Sequence, residues 1–311
     1  MKRKYGMFIH FSINTFHDTE WSDGTLPVSS YNPETVDAEQ WVKTAKDAGM
    51  KYVILVTKHH DGFCLWDSKY TDYDVANSGN KTNVVEAVAK ACHKYGVGLG
   101  LYYSLWDRHQ NGETKDTLQD KTYNKYMIDQ LKELIAITQK CHTEIVEFWF
   151  DGGWEKPNNR WPTEAIYKTI KSKEPQCQVG INWSIGAPEN ADQHLVLPSQ
   201  QKEGYPIRYF PSDFRLGDPY LPAKPDPKIF THDGKQYYMP WESTMCISKY
   251  WFYNTKDTLF KSIDQLAKDY KIATSQNNIL ILNTPPNRQG KIRSQDIEIL
   301  MELKKRLDDK N

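Results

Sequence analysis

The sequence predicts an α/β fold with parallel strands, closed into a TIM-like (β/α)₈ barrel that forms a single domain over residues 1–311. Three observations carry this reading. Short apolar runs alternate with helical periodicities from one end of the chain to the other. No GxGxxG follows the first run, which counts against the alternative, an open doubly wound sheet that binds a dinucleotide. Polar side chains gather where strands end, at His10, His59, His60, Tyr103, Asp151, Asn182 and Asn283, and a barrel builds its site from those ends.

The elements follow in order. Strand 1 is expected over Tyr5–Ile13. The first helix starts after the capping pattern Asp37-x-x-Gln40 and stops at Gly49. Strand 2 is Tyr52–Thr57. The second helix opens on Asn83-x-x-Glu86 and ends at Gly96, and strand 3 covers Val97–Ser104. Met127, Leu131, Leu134, Ile135 and Thr138 share one face of a helix over Thr122–Gln139. Strand 4 is Ile145–Phe150, a helix spans Thr163–Lys173, and strand 5 is Val179–Trp183. The region 185–240 is irregular and rich in Pro, Gly and Asp, with Ile207–Phe210 as its best strand, the sixth. Strand 7 falls near Met245–Ile247, a helix runs over Leu259–Thr274, strand 8 is Ile279–Leu282, and a last helix runs over Ser294–Leu307.

Composition narrows the function. Lys plus Arg and Asp plus Glu are both 40, so no basic excess draws nucleic acid or an anionic membrane. No apolar run is long enough to span a bilayer. No signal peptide is visible, although a trimmed export signal is compatible with a first strand so near the start, which leaves the compartment open. The cysteines Cys64, Cys92, Cys141, Cys177 and Cys246 are odd in number and form no CxxC, so neither a disulfide framework nor a zinc site is expected. The 10 Trp and 19 Tyr supply either an aromatic core or a ring-lined pocket for a ligand with one apolar face and polar edges, such as a sugar.

The chemistry-bearing residues fit the second use. Asp151 ends an apolar strand between Trp149 and Trp154, and Gly152-Gly153 lets the backbone turn away. His59 and His60 follow the run Val53–Val56. Neutral imidazoles both donate to and accept from hydroxyls, whereas a metal would need a third ligand such as His10 or Asp151. Glu20-Trp21 repeats the pairing of a polar hook with an aromatic plate. Cleaving a glycosidic bond takes a second carboxyl, with Asp213, Asp218 and Glu242 as candidates.

Taken together, these stretches resemble the glycoside hydrolase family 29 α-L-fucosidases across their catalytic barrel. Tyr5–Phe11 is similar to the FGxFIHW strand, Glu20-Trp21 to the EWY loop, and Asp37–Tyr52 to the FDAxxWxxLxKxAGAKY pattern. Lys58-His59-His60-Asp61-Gly62-Phe63 matches KHHDGF, the most specific motif, and Gly100–Ser104 matches GxYYS. Trp149–Gly152 resembles WxDG, and Asn278–Asn283 with Gly290 resembles the closing NLLLNxxPxxxG. The resemblance implies a retaining exo-glycosidase that needs no metal or other cofactor and acts on a fucosylated oligosaccharide or glycoconjugate. It implies Asp151 as nucleophile. His10, Glu20, Trp21, His59, His60, Trp149 and one of Tyr102 and Tyr103 would hold the sugar, and Trp251 would pack on its apolar face. The family's acid/base segment aligns with Asp213–Asp218, which makes Asp218 the first choice for acid/base and Glu242 the fallback. The Arg often found after strand 5 is absent from Asn182-Trp183-Ser184, and the usual C-terminal β-sandwich is not expected in this chain. The rival readings are a non-catalytic fucose-binding barrel and a metal-dependent barrel hydrolase; a D-galactoside is the alternative substrate.

Overall fold

Strands that are apolar on both faces need cover on both sides, and parallel pairing with intervening helices supplies it. In the computed structural model, which describes residues 3–111, 121–155, 161–193 and 195–309, the chain follows this plan. The elements are β1 (Tyr5–Ile9), α1 (Ala38–Asp47), β2 (Tyr52–Lys58), α2 (Val84–Tyr95), β3 (Gly98–Ser104), a short α3 (Arg108–Asn111), α4 (Lys121–Lys140) and β4 (Ile145–Asp151). They continue with α5 (Thr163–Lys173), β5 (Gln178–Ile181), β6 (Ile229–His232), β7 (Lys235–Tyr238), β8 (Glu242–Cys246), α6 (Ile263–Thr274), β9 (Ile279–Asn283) and α7 (Ser294–Asp308). Seven strands form one parallel sheet in the order β5-β4-β3-β2-β1-β9-β8, and β6 and β7 form a separate antiparallel hairpin.

The sheet curls around an inner cluster that includes Phe8, Tyr52, Ile54, Tyr102, Trp149, Phe214, Leu216 and Ile281. Its outer face packs on the helices through Met7, Leu55, Tyr103, Phe148 and Phe150, with Trp41, Val88 and Leu131 opposite. The capping signals act locally. Asp37 accepts from the Gln40 amide at 3.1 Å and Asn83 from the Glu86 amide at 2.9 Å. The Gln40 side chain does not close the box; it donates to the Ile292 carbonyl and ties α1 to the approach to α7. Among the described residues, no helix is long and apolar enough to cross a membrane.

Two expectations are corrected. Ile207–Phe210 is not a strand of the sheet; Ile207 makes an isolated antiparallel bridge with Ile185 and donates its amide to the Thr231 carbonyl of β6 at 2.8 Å. The gap between β5 and β8 is instead occupied by residues 213–216. Asp213 donates its amide to the Val179 carbonyl at 2.7 Å, Arg215 donates to Pro240 at 2.8 Å, and Glu242 donates to Arg215 at 3.0 Å. The strand expected near Met245–Ile247 begins three residues earlier, at Glu242. That slip moves Glu242 from a connecting loop onto the first residue of a strand, at the opposite end of the sheet from the strand ends.

Candidate active site

The polar strand ends converge. His10, His59, His60, Tyr102, Trp149, Asp151, Asp218 and Trp251 line one cavity of about 100 Å³, walled further by Phe8, Trp21, Trp154 and Thr244. Strand alternation explains most of this. On β4, Glu147, Trp149 and Asp151 point inward while Phe148 and Phe150 face the helices. On β3, Tyr102 points inward and Tyr103 outward. Tyr102 therefore donates to Asp151 Oδ2 at 2.8 Å, whereas Tyr103 donates to Gln130 of α4 at 2.7 Å and does not reach the cavity.

The paired histidines need more than alternation, because neighbours on a regular strand face opposite ways. The register between β2 and β3 shifts between Val56 and Lys58, so β2 carries a bulge at Thr57. The extra residue turns Lys58 outward and brings His59 to the mouth, and the turn at Asp61-Gly62 adds His60. The remainder of the motif holds that turn. Asp61 accepts from Asn14 and from the Phe63 amide, each at 2.8 Å. Gly62 sits at φ +89°, where a Cβ would fall 2.2 Å from Asp107 Oδ1. Lys58 is wholly buried and bonds Asp107 at 2.8 Å and Tyr103 at 2.9 Å. Lys58→Met would leave Asp107 buried without its cation, so a loss of about 3–5 kcal/mol is expected, read from the urea unfolding midpoint. A midpoint unchanged from wild type would contradict this structural role.

The hydrogen bonds determine the histidine tautomers. Ser104 Oγ donates to the Trp106 carbonyl at 2.6 Å, so at its 2.7 Å contact with His60 Nδ1 the hydroxyl must accept. Asn283 Nδ2 donates to the Trp251 carbonyl at 2.8 Å, which turns Asn283 Oδ1 toward His10 Nδ1 at 2.7 Å. Both rings thus carry their proton on Nδ1 and keep Nε2 as an acceptor. Burial pushes the pKa of His10 and of His60 down to about 3, and burial followed by the neighbouring His60 and His10 holds His59 well below its usual value. All three are neutral near pH 7, so the 3.5 Å approach of His60 Nε2 to Asp151 Oδ2 is not an ion pair, and a ligand hydroxyl is the natural donor to that nitrogen.

Two carboxyls share the cavity. Asn182 Nδ2 donates to Asp151 Oδ1 at 3.0 Å and also to Asp218 Oδ1. Two oxygens bonded to one nitrogen lie within about 6 Å of each other, which spans the ~5–5.5 Å spacing of a retaining pair. Burial, then the charge of Asp151, pushes Asp218 up to about 7. Burial also raises Asp151, but bonds from Asn182 and Tyr102 favour its charged form. Burial thus raises both carboxyls, with the charge of Asp151 adding to the rise at Asp218 and the bonds from Asn182 and Tyr102 opposing it at Asp151.

The other candidates fall elsewhere. Glu242, the fallback acid, does not line this cavity. It lies two residues before Thr244 on β8, roughly 7 Å deeper along the strand. There it accepts from Tyr52 at 2.8 Å and lines a separate pocket with Arg3 and Glu147. Asp213 faces outward to Tyr167 and Lys171 of α5, each at 2.8 Å. Glu20 supports the wall: its Oε2 accepts from the Trp251 amide at 3.0 Å, which sets the Trp251 ring 5.2 Å from His10. Burial raises Glu20 to about 7. Trp154, read from the sequence as flanking Asp151, lines the cavity, whereas Phe8 and Thr244 were not foreseen as lining residues. Asn182, Asn283 and Ser104, all at or beyond strand ends, orient the groups that were.

His59, His60 and Asp151 also bring ligand atoms within 4.8 Å of one another, close enough to hold a metal ion. Asp151 already accepts from Tyr102 and Asn182, however, and a metal would have to displace or share those bonds.

Buried paired carboxyls under aromatic walls, at the C-terminal mouth of a parallel sheet, are the arrangement glycoside chemistry requires. The chain belongs to the alpha-L-fucosidase family, whose model matches residues 1–310. It is similar to alpha-L-fucosidase 1 of Arabidopsis thaliana, with 35% identity over 96% of this chain and 56% of that protein. Its fold is similar to that of alpha-L-fucosidase isoenzyme 1 from Paenibacillus thiaminolyticus (TM-score 0.76, 28% identity, 98% of this chain and 73% of that one). It also matches a family 29 fucosidase of Ruminococcus gnavus in complex with fucose (TM-score 0.75, 25% identity, 98% of this chain and 65% of that one). The chain spans about half the length of the curated relatives it matches.

Proposed function

We propose that the chain carries the catalytic barrel of a retaining exo-α-L-fucosidase that releases terminal α-linked L-fucose from an oligosaccharide or glycoconjugate. In this reading residues 213–218 take the sixth position of an eight-position barrel, with Phe214, Leu216 and Asp218 facing inward. The observation that carries the proposal is the Asp151–Asn182–Asp218 bridge, which sets two carboxyls side by side in the cavity. The cavity's small volume suits a single ring and hence exo action.

Asp151 attacks the anomeric carbon while the Asp218 proton passes to the departing oxygen as the C1–O bond breaks. Water then attacks C1, gives its proton to Asp218, and frees the Asp151 carboxylate. His10 and His60 accept from ring hydroxyls through Nε2, and Trp149 and Trp251 pack on the apolar face.

The pH profile follows from the same groups. Asp151 must be ionised and Asp218 protonated, so kcat/KM should fall as pH rises through about 7 and again on the acid side as Asp151 protonates. The histidines add no limb above about 3. A plateau that extends unchanged to pH 9 would contradict the assignment of Asp218.

The decisive assay compares 4-nitrophenyl α-L-fucoside with the α-D-galactoside, each with and without a chelator. Turnover of the fucoside that survives chelation is expected. Activity lost to chelator and restored by a divalent ion would favour the His59–His60–Asp151 metal reading. Tight fucose binding with no turnover would favour a binding protein.

A further inference from the structure

One side chain touches both carboxyls of the cavity, although it does not itself line it. Asn182 follows β5 and is 1% exposed, with its own amide bonded to the Phe150 carbonyl of β4 at 2.8 Å. Its Oδ1 accepts from the Trp183 amide at 3.0 Å and from the Asp218 amide at 3.4 Å. Two backbone donors on the oxygen prevent the amide from turning over, because a flip would set NH₂ against N–H and C=O against two carboxyls. Trp183 stands at φ +61°, a left-handed conformation rare for tryptophan, in the turn that brings its N–H back to Asn182. The NH₂ group is thereby committed to Asp151 and Asp218.

We propose that Asn182 is a positioning residue of the reaction: its amide holds nucleophile and acid/base at working separation and gives one N–H to each. This rests on the fucosidase reading above and deepens it. In the first step negative charge leaves Asp151, which becomes an ester, and appears on Asp218, which has given up its proton. In the second step it returns. A donor with two fixed N–H groups serves the charge at either end of that migration without reorganising, which is the economy of a preorganised site. Among the described residues, the other titratable groups around the pair are His10 from the end of β1, His59 and His60 from the end of β2, Tyr102 from β3, Tyr209, and Cys246 at the end of β8, and substituting Asn182 changes none of them.

The test uses Asn182→Asp and Asn182→Ala, with Asn182→Ser as the variant that keeps a single donor. Asn182→Asp is isosteric and can still accept from Trp183 and Asp218, so it guards against a fold lost in Asn182→Ala. For the first two, kcat/KM for an aryl fucoside should drop about 10²-fold, mostly in kcat because Asn182 does not touch the sugar. Both limbs of the pH profile should move to higher pH, since the donor favouring each ionised form is gone. Asn182→Ser should fall between these and wild type. A folded Asn182→Asp that keeps wild-type kcat, or whose limbs stay in place, overturns the inference while leaving the fucosidase reading intact. A wild-type protein that turns over no fucoside overturns the fucosidase reading and removes the inference with it.

Discussion

Asp151→Asn should reduce kcat on an aryl α-L-fucoside by about 10³–10⁵-fold, with folding unaffected. The substitution keeps the shape of a side chain that is 7% exposed and in contact with Tyr102 and Asn182. It removes the carboxylate that the proposed reaction uses to bond the anomeric carbon. An amide is a poor nucleophile, so what survives is catalysis by the binding residues alone. A variant retaining more than a few per cent of activity would mean that the attack comes from elsewhere. The same variant should still bind fucose, because His10, His60, Trp149 and Trp251 are untouched.

The second large effect separates the two acid candidates. Asp218→Asn should cost about 10²–10⁴-fold on substrates with a poor leaving group and much less on an activated aryl fucoside, since the missing proton matters most when the departing oxygen is basic. Added azide, which needs no general base, should restore turnover of the activated substrate. Glu242→Gln should leave kcat within a few-fold of wild type and show no azide rescue, because Glu242 sits in a different pocket, bonded to Tyr52. Its effect should be on stability. Burial raises Glu242 to about 7, above its value in the unfolded chain, so the folded state binds the extra proton and wild-type stability declines as pH rises from the ordinary carboxyl range toward 7. Glutamine lacks that decline, so Glu242→Gln should gain in Tm relative to wild type at pH 8 and not at pH 4. Azide rescue of Glu242→Gln, with none for Asp218→Asn, would reverse the assignment.

Much of this site was legible from residue order. Period-two alternation on β4 placed Trp149 and Asp151 on one face, and polar residues ending apolar runs marked the mouth. The parts that were not legible depend on backbone offsets of one to three residues. The bulge at Thr57 reverses Lys58 and lets His59 join His60, and nothing in Val56-Thr57-Lys58 announces it. Glu242 was kept as a fallback acid from its residue type and its match to a recurrent family Glu, neither of which shows depth in the sheet; as the first residue of β8 it lies a layer below Thr244. The sixth position was sought in Ile207–Phe210, the denser apolar run. Residues 213–216 lie between β5 and β8 instead, with Phe214 and Leu216 in the inner cluster and Asp213 turned to α5, an alternation that carries a buried arginine. Arg215 is wholly buried because Asp226, at 2.9 Å, and the carbonyls of Met239 and Pro227 receive its guanidinium, a partnership between distant residues that local pattern does not reveal. The tautomers of His10 and His60 likewise depend on Asn283 and Ser104, which come from other strands.

The most direct test is to trap the intermediate. A 2-deoxy-2-fluoro-fucosyl donor with a good leaving group should inactivate the enzyme, and peptide mass spectrometry should find the fluorosugar as an ester on the segment containing Asp151. Label on another carboxyl, or none under conditions where the parent substrate turns over, would contradict the account.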